Sequence, residues 1–237
     1  MSTMVKLIKV IFVLAMLVLS GCAPKPQAWD ASMRTVLTKY SYHAARSLQP
    51  YFKDAKIPLP PARLALLVFK QQKKLEVYGA GKTGPWTYIR SYPVLGASGV
   101  RGPKLKQGDM QVPEGIYSIL SLNPNSRFHL SIELDYPNAF DQRQAKLAGR
   151  DNIGDHIFIH GGHESTGCVA VGDDVIEELF PLVYYVGESH VEVVIAPDDL
   201  PTMPAIYSMV KPAWLPVLYA DLKKKLAEFP VPSKERS

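Results

Sequence analysis

Residues 155–174 read DHIFIHGGHESTGCVAVGDD, the pattern of a strand, a glycine turn, a cysteine and the start of a helix. The residues over Asp155–His160 predict a strand. The two glycines that follow allow the chain to turn sharply back on itself. Asp173 is predicted to cap a short helix that ends near Glu178. The cysteine within this stretch is therefore expected to lie next to the end of the strand.

Cys168 and His160 are the candidate catalytic pair. Near neutral pH a free cysteine is mostly thiol, whereas the thiolate is the nucleophile, so a neighbouring base or positive field is needed. His160, at the end of the predicted strand, is the best placed base. Gly167 leaves the backbone free to direct successive N–H groups toward the reacting centre, where they stabilise an oxyanion. These residues are sufficient for acyl transfer through a thioester.

The chain has two cysteines, Cys22 and Cys168. If Cys22 carries lipid, Cys168 has no disulfide partner in its own chain. An unpaired thiol in an exported protein is a candidate reactive group. The cysteine count leaves a second interpretation open, in which Cys168 is a small buried apolar residue. The histidine and the glycines around it favour the reactive interpretation.

Residues 1–21 have the pattern of an export signal. They contain two lysines and no acidic residue, and the apolar run Val10–Leu19 suits a signal peptide but is too short to span a bilayer as a helix. Leu19-Ser20-Gly21-Cys22 resembles the bacterial lipobox, in which the cysteine is lipidated and becomes the new N-terminus. By resemblance to enterobacterial lipoprotein sorting rules, Ala23 after the cysteine favours the outer membrane. The alternative is an ordinary signal peptide or anchor with a chance cysteine.

The composition is that of a globular protein and gives no sign of nucleic-acid binding. Of 237 residues, 47% are hydrophobic and 21% are charged, which excludes a mostly disordered chain. The 27 basic and 22 acidic residues give a formal charge of +5, and two of the lysines belong to the predicted signal peptide. This excess is too small to indicate nucleic acid as a partner.

Outside the signal, the pattern predicts a mainly β domain with a helix on each side. Predicted helices cover Asp30 to about Gln49 and Val217–Phe229. Predicted strands are Arg63–Phe69, Lys74–Tyr78, Trp86–Leu95, Gly115–Leu120, Phe128–Leu134, Asp155–His160 and Val191–Ile195. The predicted units are a lipoprotein signal peptide (1–21), a lipidated tether and helix (22–61), the β domain (62–196) and a Pro-rich, helical tail (197–237).

His160-Gly161 followed by Ser165-x-Gly167-Cys168 resembles the signature of the L,D-transpeptidase catalytic domain, also called the YkuD-like domain. The resemblance extends over about residues 62–190. Upstream segments that resemble one branch of this family are Tyr92-Pro93-Val94, Ser98-Gly99, Gly102-Pro103-Lys104, Gly108-Asp109, Val112–Tyr117, Asn123–Ser126 and Tyr136–Asp141.

This resemblance implies a β-sandwich-like catalytic domain that works on peptidoglycan without a metal or another cofactor. Cys168 would attack the carbonyl of a meso-diaminopimelate residue in a stem peptide, with His160 as general base. A backbone carbonyl near Gly161 would fix the other nitrogen of the histidine. The implied oxyanion donors are the backbone N–H groups of Thr166, Gly167 and Cys168. The export signal and the lipobox pattern imply a location at the periplasmic face of the cell envelope, anchored through lipid at Cys22.

Two departures from the common family pattern leave the second half-reaction open. Common members have a longer insert between histidine and cysteine, and they carry a histidine and an arginine where this chain has Thr166 and Ala170. The short spacing is similar to a branch that includes an amidase releasing an outer-membrane lipoprotein from the wall. Stem peptides and such a lipoprotein are therefore the candidate partners, and either an amine or water could resolve the thioester.

The sequence leaves two rival interpretations open and offers further candidate site residues. Rival interpretations are a non-catalytic wall-associated lipoprotein and a zinc site built from His156, His160, His163 and Cys168. Gly161 and Ser165 are candidate supporting residues. Candidate substrate contacts are His129, Tyr136, Asn138, Asp141 and His163, and for each of them turn chemistry, packing or simple exposure is the alternative. Alternation along the strand would place His156 on the same face as His160.

Overall fold

The computed structural model describes residues 28–199 and 212–232, and the predicted signal peptide and Cys22 lie outside these residues. The described chain forms four α-helices and nine strands. The helices are α1 (Ala28–Asp54), α2 (Ala139–Leu147), α3 (Asp173–Val186) and α4 (Leu215–Leu226), with a short 3-10 helix at Glu188–His190. The strands are β1 (Arg63–Phe69), β2 (Lys74–Ala80), β3 (Thr87–Pro93), β4 (Gly96–Ala97), β5 (Gly115–Ser126), β6 (His129–Leu134), β7 (Phe158–His160), β8 (Val169–Ala170) and β9 (Val191–Ala196).

The strands form one continuous ladder in the order β3-β2-β1-β9-β5-β6-β7-β8-β4. Strand β9 runs parallel to β1 and β8 runs parallel to β7, whereas the other neighbouring pairs are antiparallel. Strand β5 belongs to both halves of the ladder, because Gly115–Ser118 pair with β9 and Ile119–Ser126 pair with β6. Register shifts in its second half bend the strand. The prediction of a mainly β, sandwich-like domain with flanking helices is confirmed.

Strand β1 is buried on both faces, which explains its nearly continuous apolar sequence. Leu64, Leu66 and Val68 point into the main core, which also receives apolar side chains from both halves of the ladder and from α1 and α3. The alternate residues of β1 point to the opposite face, where α4 covers them. The residues of α4 in this second cluster are Leu215, Leu218, Tyr219, Leu222 and Leu226. The C-terminal helix is therefore packed on the β domain.

Several local features differ from the sequence-based predictions. Helix α3 continues to Val186, and its N-cap residue is Gly172 rather than Asp173. Strand β7 begins at Phe158, because His156 has a φ of 54°, a left-handed conformation that a strand does not contain. Helix α2 was not predicted. None of the helices in the described ranges combines the length and the apolar character needed to cross a membrane.

Candidate active site

The parallel pair β7–β8 brings the predicted nucleophile and base to one face of the sheet. Its register pairs Ile159 with Val169 and His160 with Ala170. Continued back by one residue, this register places Cys168 beside Phe158, whose backbone hydrogen-bonds the thiol. Residues two positions apart on a strand share a face, so the side chains of Cys168 and His160 project to the same side. Ile159 and Val169 point the other way, into the main core.

The imidazole of His160 is held in one tautomer. Its Nδ1 lies 2.6 Å from the carbonyl oxygen of Gly161, which can only accept, so Nδ1 carries the hydrogen and Nε2 has a free lone pair. This is the backbone contact that the family resemblance implies. The residue is 1% exposed, and burial lowers the pKa of His160, opposed by the hydrogen bond to Gly161. The ring is therefore neutral near pH 7 and can accept a proton at Nε2.

The surroundings of Cys168 favour the neutral thiol. Burial raises the pKa of Cys168, while the hydrogen bond with the Phe158 backbone and the positive charge of Lys104 lower it. The Sγ atom lies 3.9 Å from the carbonyl oxygen of His156, a weak contact, and the residue is partly exposed. Both shifts favour the neutral forms, a thiol at Cys168 and an uncharged imidazole at His160, over the thiolate that the sequence interpretation invoked.

Two serines from distant parts of the chain fix the turn before the cysteine. Ser165 Oγ donates to the carbonyl oxygen of Cys168 at 2.6 Å and accepts from the backbone N–H of Ser98 at 3.0 Å. Ser98 Oγ accepts from the N–H of Gly167 at 2.7 Å and donates to the carbonyl oxygen of Met110 at 2.7 Å. The Gly167 N–H is therefore already engaged and is not a free oxyanion donor in this conformation. The N–H groups of Thr166 and Cys168 stay predicted donors.

Ser98 is a site residue that sequence reasoning missed. Its only signal was its position in the Ser98-Gly99 segment that resembles the family. Nothing local in the sequence indicates that this hydroxyl meets a turn that lies almost seventy positions later, since the two are joined through the β4–β8 pairing.

The glycine turn after His160 is anchored by the first residue of α3. The N–H of Gly162 donates to Asp173 Oδ1 at 2.8 Å. A Cβ atom on Gly161 would lie 2.5 Å from that same oxygen and 2.7 Å from the carbonyl oxygen of Phe128, so only glycine fits. Asp173 was predicted as a helix cap, but its carboxylate instead ties α3 to the turn that holds the imidazole.

The β domain is similar to a known protein family. The family model of the L,D-transpeptidase catalytic domain, YkuD, matches residues 63–195. The chain belongs to this family. The putative L,D-transpeptidase YafK of Escherichia coli K12 is 33% identical over 143 residues, which cover 59% of this chain and 55% of that relative. The same protein from E. coli O157:H7 matches equally. The chain thus aligns with about half the length of the curated relatives.

Two solved structures resemble part of the chain. The helical cell shape determining protein Pgp2 from Campylobacter jejuni is 23% identical with a TM-score of 0.47, covering 58% of this chain and 48% of that chain. Bd1075 from Bdellovibrio bacteriovorus is 26% identical with a TM-score of 0.43, covering 60% of this chain and 50% of that chain.

Of the two histidines predicted to contact substrate, His129 has a side-chain partner within the L,D-transpeptidase domain and His163 is exposed. His129 Nε2 lies 2.7 Å from Glu177 Oε1 on α3, and its ring meets Tyr40 of α1 edge to face. This contact gives His129 a structural partner. His163 is exposed on the turn between β7 and β8, and its carbonyl oxygen packs directly against Gly96.

Tyr136, Asn138 and Asp141 have structural partners at the start of α2. Asn138 Oδ1 accepts from the N–H groups of Phe140 and Asp141, and Asp141 Oδ2 accepts from the N–H of Asn138, which completes a capping box. The hydroxyl of Tyr136 donates to the carbonyl oxygen of Ile153 at 2.9 Å. Burial raises the pKa of Asp141 to about 7. Turn chemistry and packing, the alternatives to a substrate contact, account for all three.

Two further charged groups lie near the cysteine, and one of them corrects a prediction. Lys104 is buried and its Nζ lies 2.6 Å from Asp109 Oδ1. His156 lies before β7 rather than on it, so strand alternation does not apply to it, and its Nδ1 contacts Glu133 Oε1 at 2.8 Å. Within residues 28–199 and 212–232, no group of three or more His, Cys, Asp and Glu side chains is arranged to hold a metal.

Proposed function

We propose that this chain is a cysteine acyltransferase that acts on peptidoglycan. Cys168 forms a thioester with the carbonyl of a diaminopimelate residue in a stem peptide and passes the acyl group to an amine acceptor. The observation that carries the proposal is the parallel β7–β8 pair, which presents a partly exposed thiol and a neutral, Nδ1-anchored imidazole on one face. Membership of the L,D-transpeptidase family supports the substrate class.

The proposed reaction has two balanced steps. In the first, the proton of Cys168 moves to His160 Nε2 as sulfur bonds to the substrate carbonyl carbon, and the C–N bond then breaks while Nε2 returns that proton to the leaving amine. In the second, the acceptor amine gives a proton to Nε2 as its nitrogen bonds to the thioester carbon, the C–S bond breaks, and the departing thiolate of Cys168 takes the proton back from Nε2. Neutral starting groups suit this sequence because the base must begin without a proton.

Water is the second candidate acceptor. The eight-position spacing from His160 to Cys168 resembles the branch that includes a lipoprotein-releasing amidase. With water in place of the amine, the same thioester yields a free carboxylate, and the chain acts as an amidase on peptide or lipoprotein attached to the wall.

The acceptor is identified by incubating the purified full chain with muropeptides in ¹⁸O-water, with and without an added amine or free lipoprotein. A new cross-linked mass indicates transfer, whereas ¹⁸O in a released carboxylate indicates hydrolysis. Cys168→Ala and Cys168→Ser should abolish both products, and His160→Gln should lower the rate by about 10²–10⁴-fold. Full activity in Cys168→Ala, or no product from any muropeptide or wall-bound lipoprotein, would overturn the proposal.

We also propose that the chain is a lipoprotein anchored through Cys22 at the periplasmic face of the outer membrane. The support is the run of apolar residues followed by Leu19-Ser20-Gly21-Cys22 and Ala23. Labelling with a fatty-acid analogue and membrane fractionation test it. Cys22→Ser should lose the label and leave the outer-membrane fraction, whereas Cys168→Ser should keep both. Labelling that survives Cys22→Ser would contradict this assignment.

A further inference from the structure

Phe128 is an apolar side chain at the surface that also covers the predicted catalytic base. It lies in the turn between β5 and β6 and is 46% exposed. Its ring stacks on the imidazole of His160 with centroids 4.6 Å apart and a tilt of 32°. The imidazole is 1% exposed although it belongs to the proposed reaction centre, and Phe128 covers a face of it.

The position of Phe128 is fixed from both sides of the turn. Its N–H donates to Ser126 Oγ at 3.1 Å. Its carbonyl oxygen packs so closely on Gly161 that a Cβ there would be 2.7 Å away. The N–H of Gly161 donates to the carbonyl oxygen of Leu130 at 3.2 Å, and Ser131 pairs with His160 across β6 and β7. The aromatic ring and the imidazole are therefore carried by backbones that are bonded to each other.

We propose that Phe128 is a positioning residue for His160: its ring excludes water from the imidazole and fixes the ring plane while Nε2 stays available to the thiol. The hydrogen bond to Gly161 fixes the imidazole in its own plane, and the stacked ring restricts motion out of that plane. This inference rests on the proposed role of His160 as base, but it does not depend on the identity of the substrate.

The charged groups around His160 on α3 and β6 have partners of their own. Asp173, the first residue of α3, accepts a hydrogen bond from the N–H of Gly162. His129 on β6 pairs with Glu177 on α3. Other titratable groups on the adjoining strands and loops are Cys168, Lys104, and the pair formed by His156 and Glu133.

Burial is the largest influence on the base, and it lowers the pKa of His160. Phe128 supplies part of this burial. Its removal should therefore admit water to the imidazole, favour the protonated ring and raise the pKa toward its ordinary value.

The test is a histidine ring titration by NMR in the full chain, with Cys168→Ala as the parent so that the thiol does not titrate with the ring. The six histidines are distinguished by comparison with a His160→Gln spectrum. Phe128→Ala should move the His160 midpoint to higher pH. Phe128→Leu should stay close to the parent because it retains an apolar cover. The control is Leu120→Ala, which removes an apolar side chain that is 59% exposed on β5.

An unchanged His160 midpoint in a folded Phe128→Ala protein would overturn the inference, as would an equal shift in Leu120→Ala. Folding is followed by circular dichroism and the thermal midpoint. In the protein that retains Cys168, Phe128→Ala should move the acid limb of kcat/KM for muropeptides to higher pH. If the unmodified chain shows no turnover, the proposed function fails, while the NMR titration still decides the role of Phe128.

Discussion

At the scale of single residues, Lys104 is the buried cation whose field reaches the thiol. Its ammonium contacts Asp109 Oδ1 at 2.6 Å and the carbonyl oxygen of Lys106 at 3.0 Å. Its stem lies against Gly154, two positions before the residue whose carbonyl contacts Sγ. The positive charge of Lys104 lowers the pKa of Cys168. It therefore offsets part of the free-energy cost of forming a buried thiolate at Cys168.

Lys104→Met should therefore raise the pKa of Cys168 further and move the iodoacetamide alkylation profile to higher pH. Lys106→Met is the matched control, because that side chain is exposed. The double variant Lys104→Met with Asp109→Asn avoids leaving a buried carboxylate without its cation and should show the same shift. An alkylation profile identical to that of the unmodified chain in the folded double variant would show that Lys104 acts only on the loop.

At the scale of elements, the first turn of α3 holds the glycine turn that carries the imidazole. Asp173→Ala removes the acceptor of the Gly162 N–H and should cost about 1–2 kcal/mol of unfolding free energy together with much of the activity. Asp174→Ala is the matched control, since it removes the same charge from the same helix terminus, a loss of about 0.3–1 kcal/mol. Equal effects in urea unfolding and turnover would mean that only the helix dipole is involved.

The capping box of α2 gives a pH dependence with a definite sign. Burial raises the folded-state pKa of Asp141 to about 7, above its unfolded value of 3.8. Between these two values the folded state binds more protons than the unfolded state, so this group lowers stability as pH rises from about 4 to 7. Asp141→Asn retains an acceptor for the Asn138 N–H and should flatten that part of the curve. Urea midpoints at pH 5 and pH 8 measure it, and an unchanged difference between them would refute the assignment.

The sequence predicted the elements whose signals are local. Strong apolar patterns marked β1, β2, β5 and β9, and the glycines marked the turn between base and nucleophile. Strand β8 is only two residues long and could not be recognised by pattern. His156 looked like a strand residue because its left-handed φ leaves no trace in the residue type. The contact of Ser98 with Gly167 and that of Asp173 with Gly162 depend on long-range folding, so the sequence indicated Cys168 and His160 as the candidate pair but not these two supporting contacts.

At the scale of the whole molecule, the C-terminal helix α4 is connected through a buried polar cluster to residues 98–114, the segment that contacts the cysteine turn. Glu114 is 1% exposed and accepts from Lys70 Nζ at 3.0 Å, from the Gly102 N–H at 2.9 Å and from the Tyr219 hydroxyl of α4 at 2.7 Å. Lys70 also donates to the carbonyl oxygen of Val112. The Val112 N–H in turn donates to the carbonyl oxygen of Ser98. A helix far along the chain thus helps to hold the segment that fixes the cysteine turn.

Tyr219→Phe should therefore destabilise the protein by about 1–3 kcal/mol, because it takes one of three partners from a buried carboxylate while keeping the apolar ring in its cluster. Urea unfolding measures this loss. Tyr184→Phe, on an α3 side chain that is 43% exposed, should stay within about 0.5 kcal/mol of the unmodified chain. Hydrogen exchange should also accelerate in residues 98–114 of Tyr219→Phe, since this cluster holds the loop. If stability falls but exchange in that loop is unchanged, α4 supports the sheet alone and does not reach the catalytic turn.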